Sequence, residues 1–225
     1  TIRDFRGMDE GSALKADISK YFQNVDHAIL RRLLARRIAC RDTLALLDGI
    51  IDTWEDGAGR GIPIGNLTSQ LFANIYLHEL DEFVKHQLRE RYYIRYMDDF
   101  IIIHHDKDHL HRLRRLIEGF LWDHLRLTTN HKTQVFPVRA IAGRPLDFLG
   151  YRIWPTHRKL RKDSVRRMKH RLRRMAADYA KGRISLGRIN PRLQSWIGHA
   201  KHASTWRLRG KVLGSVAFKK EDPYA

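Results

Sequence analysis

The stretch from residue 93 to 104 constrains this chain most, because two runs of aromatic and branched apolar residues, 93–96 and 100–104, flank Met97, Asp98 and Asp99. So short a connection between strand-like runs predicts an antiparallel hairpin with the acidic pair at its apex. Adjacent carboxylates repel each other, and hard oxygen ligands suit magnesium, whose charge offsets that repulsion. Turns also favour Asp for purely conformational reasons, so the pair alone does not decide between the two readings. A third carboxylate, Asp17, closes another strand-like run over 12–17. Two metal ions that clamp an attacking and a leaving oxygen need ligands from separate elements. Asp17, Asp98 and Asp99 are therefore the candidate reaction centre.

Around these acids, strands and helices alternate and then give way to helices. Asn24 and Asp26 are cap-like residues ahead of a helix reaching residue 37, and 41–54 continues as helix. Residues 57–63 read as a loop, and Thr68 or Ser69 is the expected cap of a long amphipathic helix to about residue 90. Helical spacing covers 107–123. Strands are expected over 133–138 and 148–154, around a turn at Gly143, Arg144 and Pro145. Three helices, 163–181, 191–203 and 206–217, complete the chain. The expected class is α+β: an antiparallel sheet backed by helices, followed by a small all-helical part.

Charge marks the same division. Of the formal net charge of +18, residues 1–155 carry 23 Lys and Arg against 21 Asp and Glu, whereas residues 156–225 carry 20 against 4. A mixed-charge working domain followed by a cationic module predicts a nucleic-acid partner held by its phosphates. Arg166, Arg167, Lys169, Arg171, Arg173 and Arg174 share a helix with Val165, Met168, Leu172 and Met175 on its other side, which assigns them to phosphates rather than bases. Trp196 and Trp206 are read equally as nucleotide stackers or as core. The single cysteine, Cys40, reads as core filling and suits a reducing compartment. No apolar run is long enough for a membrane span and residues 1–10 lack a secretion-signal layout, so a soluble, cytoplasmic protein with no membrane partner is expected. His104, His105, His109 and His111 match no closed zinc spacing and read as polar surface.

The segments ADISKYF, GIPIGNLTSQLFANIYL, YIRYMDDFII, LTTNHKT and FLGY, spanning Ala16 to Tyr151, occur in the order of the reverse-transcriptase palm motifs. The chain resembles a bacterial reverse transcriptase, with residues 1–155 as palm with partial fingers elements and 156–225 as a basic helical thumb. It looks most like the enzymes of diversity-generating retroelements. Where most relatives have Gln-Gly-x-x-x-Ser-Pro, it has Ile64-Gly65-Asn66-Leu67-Thr68-Ser69-Gln70. The resemblance implies two magnesium ions, with manganese as a substitute, held by Asp17, Asp98, Asp99 and the Ile18 carbonyl. It further implies Phe22 as a gate against a ribose 2′-hydroxyl, with Ile64, Gly65 and Gln70 beside the incoming deoxynucleotide. Lys132 would act on the departing pyrophosphate, and Phe148, Leu149, Gly150 and Tyr151 would form a primer grip. Implied partners are an RNA template, a DNA or RNA primer, deoxynucleoside triphosphates and a small basic accessory protein.

One departure is plain. The family carries a fingers region with triphosphate-holding basic residues before the Asp17 motif, and only about a dozen residues precede that motif here. The chain alone is therefore expected to polymerise feebly. Other readings stay open: the reverse transcriptase of a phage-defence system, retron or group II intron, a non-catalytic RNA-binding palm and thumb, or a template-independent polymerase.

Overall fold

The structure, a computed structural model, describes residues 10–54, 59–139 and 144–220. The expected loop start at Gly57 and the turn glycine Gly143 lie outside the described residues.

Strand β1 (Glu10–Asp17) is followed by a single helical turn, α1 (Tyr21–Asn24), and by α2 (His27–Ala35). Asp26 caps α2 by accepting the Ile29 amide at 3.1 Å, while Asn24 donates its side-chain amide to the Ser19 carbonyl at 2.9 Å. After α3 (Arg41–Asp52) comes α4 (Leu67–Glu82), which runs into a π-helical turn over Phe83–Gln87. Neither Thr68 nor Ser69 caps α4. It starts at Leu67 behind Asn66, because helical periodicity puts Ser69 on the inward face with Phe72, Ala73, Tyr76, Leu77 and Leu80. The hairpin is as expected, with β2 (Tyr93–Tyr96) and β3 (Asp99–His104) joined at Met97 and Asp98. Asp106 caps α5 (Lys107–Leu125) through the amides of Asp108 at 2.8 Å and His109 at 3.1 Å, and β4 (Gln134–Arg139) follows.

The sheet order is β2-β3-β1-β4, with β3 antiparallel to both β2 and β1. As an inner strand, β3 buries Phe100, Ile101, Ile102 and Ile103 in one unbroken run, which is why it shows no alternation in the sequence. Helices α2, α4 and α5 supply most of the core around Leu30, Leu34, Phe72, Tyr76, Leu77, Ile117 and Leu121. Two buried phenols hold it in register: Tyr21 donates to the Ala73 carbonyl at 2.5 Å and Tyr76 to the Leu125 carbonyl at 2.7 Å. Desolvation raises the pKa of both, so they stay neutral donors. Gly61 is the tightest glycine. At φ 97°, its missing Cβ leaves room for the Trp54 indole, whose Nε1 would otherwise lie 2.6 Å away, and its carbonyl accepts from buried His27 Nε2 at 2.7 Å.

The chain divides into two compact units, Thr1–Pro137 and Val138–Ala225. That break lies upstream of the charge step near Thr156, so a small sheet belongs with the cationic helices. Its strands are β5 (Leu146–Phe148), β6 (Tyr151–Ile153) and β7 (Arg158–Leu160), in that order and antiparallel. The single strand expected over 148–154 is really two. Leu149 at φ 48° and Gly150 at φ 85° make a left-handed pair that reverses the chain, the backbone that favours tight hairpins. From Thr156 onward the segment has one short strand, β7, and then only helices: α6 (Lys162–Ala180), α7 (Leu186–Lys201) and α8 (Trp206–Leu213). Helix α7 begins five residues before the expected Pro191, which it takes into its second turn at the loss of one backbone donor. Met168, Leu172, Met175, Ile189 and Val212 form the buried cluster between these helices. Among the described residues no helix is long and apolar enough to cross a membrane.

Candidate active site

The end of β1 and the β2–β3 apex meet because the register pairs Asp17 with Asp99 and Tyr96 with Asp99. Carboxylates about 80 residues apart in the chain thus share one edge. Asp98 lies within hydrogen-bonding reach of Asp17, and its pKa is raised by burial first and then by the negative charges of Asp17 and Asp99. Asp99 faces a cation, Lys15 Nζ at 3.6 Å, reaching diagonally from β1. Among the described residues no group of three His, Cys, Asp or Glu side chains forms a ready-made metal cage. What converges is a pair of mutually repelling oxygen donors, Asp17 and Asp98, with Asp99 beside them against Lys15. Such a donor set fits a hard divalent cation, which would relieve the repulsion that raises the Asp98 pKa. The Ile18 side chain is buried hydrocarbon with no donor atom, so only its backbone carbonyl can serve as a ligand.

Four residues to which the sequence reading gave no role shape this edge. Asn130 donates its backbone N–H to the Asp17 carbonyl at 2.6 Å and its side-chain amide to Asp17 Oδ2 at 3.3 Å. The Asn130 side-chain carbonyl accepts the Lys132 amide at 3.0 Å, so the LTTNHKT segment is tied to Asp17 through its asparagine, while the Lys132 side chain is exposed. On the other side Arg95 donates to the Met97 carbonyl at 2.9 Å and grips Asp81 of α4 with two bonds, at 2.7 and 2.5 Å. Tyr93 adds a bond to the same Asp81 at 2.7 Å. This clamp holds Met97 at φ 55°, a left-handed conformation that costs a non-glycine residue about 1 kcal/mol or more.

The remaining first-unit candidates sit in two further segments, at Phe22 and over Ile64–Gln70. Phe22 is half-buried, edge-on to Tyr21 with ring centroids 5.6 Å apart. Its carbonyl accepts the Ile62 amide at 2.8 Å, which docks the segment leading to Ile64. Ile64 is 74% exposed, and Gln70 and Gly65 are exposed; Gly65, at φ 104°, has open space where a Cβ would project. The positive backbone angle there is one that glycine adopts without strain. The histidines gather without forming a ligand set: the His104 ring lies against His105 and His109, and His109 Nε2 meets buried Glu90 at 2.7 Å.

Comparison with known proteins agrees with this geometry. The family model for reverse transcriptase (RNA-dependent DNA polymerase) matches residues 8–153. The chain belongs to the reverse transcriptase family. Among curated relatives, the protein YkfC of Escherichia coli is 27% identical over 179 residues, covering 62% of this chain and 46% of that protein. The group II intron-encoded protein LtrA of Lactococcus lactis is 36% identical over 77 residues, 32% of this chain and 13% of LtrA. This reverse-transcriptase chain therefore spans less than half the length of either. Among solved structures, apo telomerase from Candida tropicalis, truncated from its C-terminal domain, aligns over 71% of this chain and 39% of its own, with TM-score 0.56 and 18% identity. A second Candida tropicalis telomerase structure, with a fragment of telomeric RNA, covers 97% of this chain and 42% of its own at TM-score 0.57 and 14% identity. Both likenesses are of fold.

Within the second unit of this reverse transcriptase, the four primer-grip candidates form one hairpin. Phe148 is buried, Leu149 is 44% exposed at the tip, and Tyr151 donates its hydroxyl to the His199 carbonyl at 2.8 Å while His199 Nδ1 lies 2.9 Å away. That arrangement makes Nδ1 the protonated ring nitrogen, since the hydroxyl has a single proton to give. His199 was not anticipated. The arginines of α6 point outward as the helical pattern predicts, with Met168, Leu172 and Met175 inward and Arg166 paired to Asp163 at 3.2 Å. Trp196 packs against the core of this unit, whereas Trp206 is 80% exposed.

Proposed function

We propose that the chain is the palm and thumb of an RNA-directed DNA polymerase, which extends a primer along an RNA template by divalent-metal-dependent nucleotidyl transfer. The observation that carries this reading is the meeting of Asp17 with the Asp98–Asp99 apex, from elements far apart in sequence, on one half-buried edge of a sheet. Magnesium bound by these carboxylates would lower the pKa of a primer 3′-hydroxyl and offset charge on the leaving pyrophosphate. The chain's own residues orient the ligands. Asn130 fixes the Asp17 carboxylate, the Arg95–Asp81 clamp fixes the turn that presents Asp98, and Lys15 balances Asp99. Phe22, Ile64, Gly65 and Gln70 are assigned to the nucleotide and Lys132 to its pyrophosphate. The Phe148–Tyr151 hairpin is assigned to the primer end, and Arg166, Arg167, Lys169, Arg171, Arg173 and Arg174 to phosphates. In the full-length protein, Asp98→Asn is expected to cut magnesium-dependent primer extension by at least about a thousandfold while leaving RNA binding intact. Synthesis undiminished in that variant would remove the reaction centre.

The finer assignment is to the error-prone enzymes of diversity-generating retroelements, which work with a small basic accessory protein. Ile64 and Gln70, in place of Gln and Pro, support it. Restoring both residues in the full-length enzyme is expected to lower misincorporation opposite template adenine, and an unchanged error rate there would count against this subgroup. The local 36% identity to LtrA favours a second reading, a group II intron-type enzyme. That reading predicts errors spread evenly over the four template bases in the unaltered protein.

A further inference from the structure

Trp206 is the most exposed tryptophan side chain that the second unit offers, and its surroundings are chemically one-sided. At 80% exposure it contributes little to the core, yet it stands at the start of α8 on the edge of a groove of about 760 Å³. The floor is apolar, with Leu160, Val165 and Leu208, and the rim carries Lys159, Lys162, Arg207 and Arg209 with no carboxylate. The Arg209 guanidinium lies 5.5 Å from the Trp206 ring centre, and its Nε is enclosed without a partner among the described residues. Lys159 leads to a second aromatic platform. It sits 5.4 Å from the centre of the Trp154 ring, which also stacks on His157 at 4.7 Å and takes Arg152 at 5.4 Å.

The described acids of this unit do not offset that charge. Asp147, Asp163 and Asp178 are each engaged by an arginine, Arg161, Arg166 and Arg183 respectively, and none lines the groove. A purely structural surface tryptophan has no need of four surrounding cations. A protein partner of ordinary composition would leave those cations unpaired, whereas a polyanion neutralises them. A duplex presents phosphates but keeps its base faces stacked, so it uses the rim and wastes the ring. An unpaired strand uses both, because every base has a face to stack on indole and every phosphate a cation to meet.

We infer that the groove beside Trp206, continued by Lys159 to Trp154, binds single-stranded nucleic acid by stacking a base on Trp206 and holding the flanking phosphates on Lys159, Lys162, Arg207 and Arg209. This goes beyond the polymerase reading, since it assigns a strand-binding contact that takes no part in catalysis. The two fail separately: Asp98→Asn leaves this binding unchanged, and Trp206→Ala leaves the carboxylate edge untouched.

Fluorescence anisotropy of the full chain with labelled oligo(U), oligo(dT) and a blunt duplex of equal length tests the inference. Trp206→Ala is expected to weaken binding of the single strands by about tenfold or more and of the duplex by less than about twofold. Trp206→Phe, which keeps an aromatic face, is expected to retain binding within about threefold. Lys162→Gln and Arg209→Gln each reduce the salt dependence by about one released ion. Equal affinity for RNA and DNA supports recognition of base and phosphate alone, and a preference for RNA supports an added 2′-hydroxyl contact. Wild-type protein that fails to bind either single strand, or a Trp206→Ala variant that loses single strand and duplex equally or neither, overturns the proposal.

Discussion

The two units handle charge in opposite ways. In the first, acids and bases are close to balance, and the side chains that matter are engaged from several elements at once: Asp81 receives Arg95 and Tyr93, Asp17 receives Asn130, and Asp99 faces Lys15. In the second, the described acids are each taken by an arginine and the remaining cations stand outward along helices over a buried cluster of Met168, Leu172, Met175, Ile189 and Val212. Geometry is specified by cross-element pairing in the first unit and sacrificed to surface potential in the second. A centre that must aim atoms needs fixed side chains, while a surface that must grip phosphates needs only sign and density.

That contrast is sharpest at Arg95. Its side chain is 10% exposed, so Arg95→Ala strands the Asp81 carboxylate and frees Met97 from its left-handed turn. The expected loss in unfolding free energy of the first unit is about 3 kcal/mol, with a more than tenfold fall in any metal-dependent activity. Chemical denaturation followed by circular dichroism measures the first, and an unshifted midpoint would mean the clamp is not structural. Next in size is Leu172→Ala, at about 3 kcal/mol or slightly less. In so small a core it should melt the second unit ahead of the first, producing two resolved transitions in calorimetry. A single cooperative transition would show that the units do not fold separately.

Gly61→Ala is expected to cost about 2 kcal/mol, from an unfavourable positive φ and from collision with the Trp54 indole. Tryptophan fluorescence should shift as Trp54 moves, and a variant as stable as the parent with unchanged emission would contradict the contact. Smallest is Arg173→Gln on the open face of α6. Stability should change by less than about 0.5 kcal/mol, while the salt slope of RNA binding falls by about one. A measurable stability loss with an unchanged slope would move Arg173 from the phosphate surface into the fold.

Much of the first unit was legible because its strands and helices announce themselves locally. The 93–104 hairpin shows two β runs and a short acidic turn, and α5 shows helical apolar spacing. The meeting of the three aspartates on one edge was legible for a different reason: each closes or joins a strand-like run, and antiparallel pairing brings such ends together. What stayed hidden depends on distance. Arg95 and Asp81 are ordinary charges until folding lays β2 beside α4, and Asn130 reads as a loop residue until its segment pairs alongside Asp17. In the second unit Leu149-Gly150 looked like the interior of a strand, since one left-handed residue beside a glycine is invisible to alternation. Pro191 looked like a helix start, its commonest helical position, whereas here Ser185 begins the helix and packing of Ile189 carries it through. Trp206 was left undecided, because nothing in its neighbours along the chain says that α8 turns it outward.

The acidic apex is anchored on Asp81, about three helical turns from the Ile64–Gln70 segment at the other end of α4. A rod braced at its far end lets its near end change without disturbing what the brace supports. On the proposed assignment of Ile64, Gly65 and Gln70 to the incoming nucleotide, substitutions there can therefore accumulate while the acidic edge stays as it was. On that assignment, selectivity and reactivity are separately heritable traits, and one can drift through generations in which the other stands still.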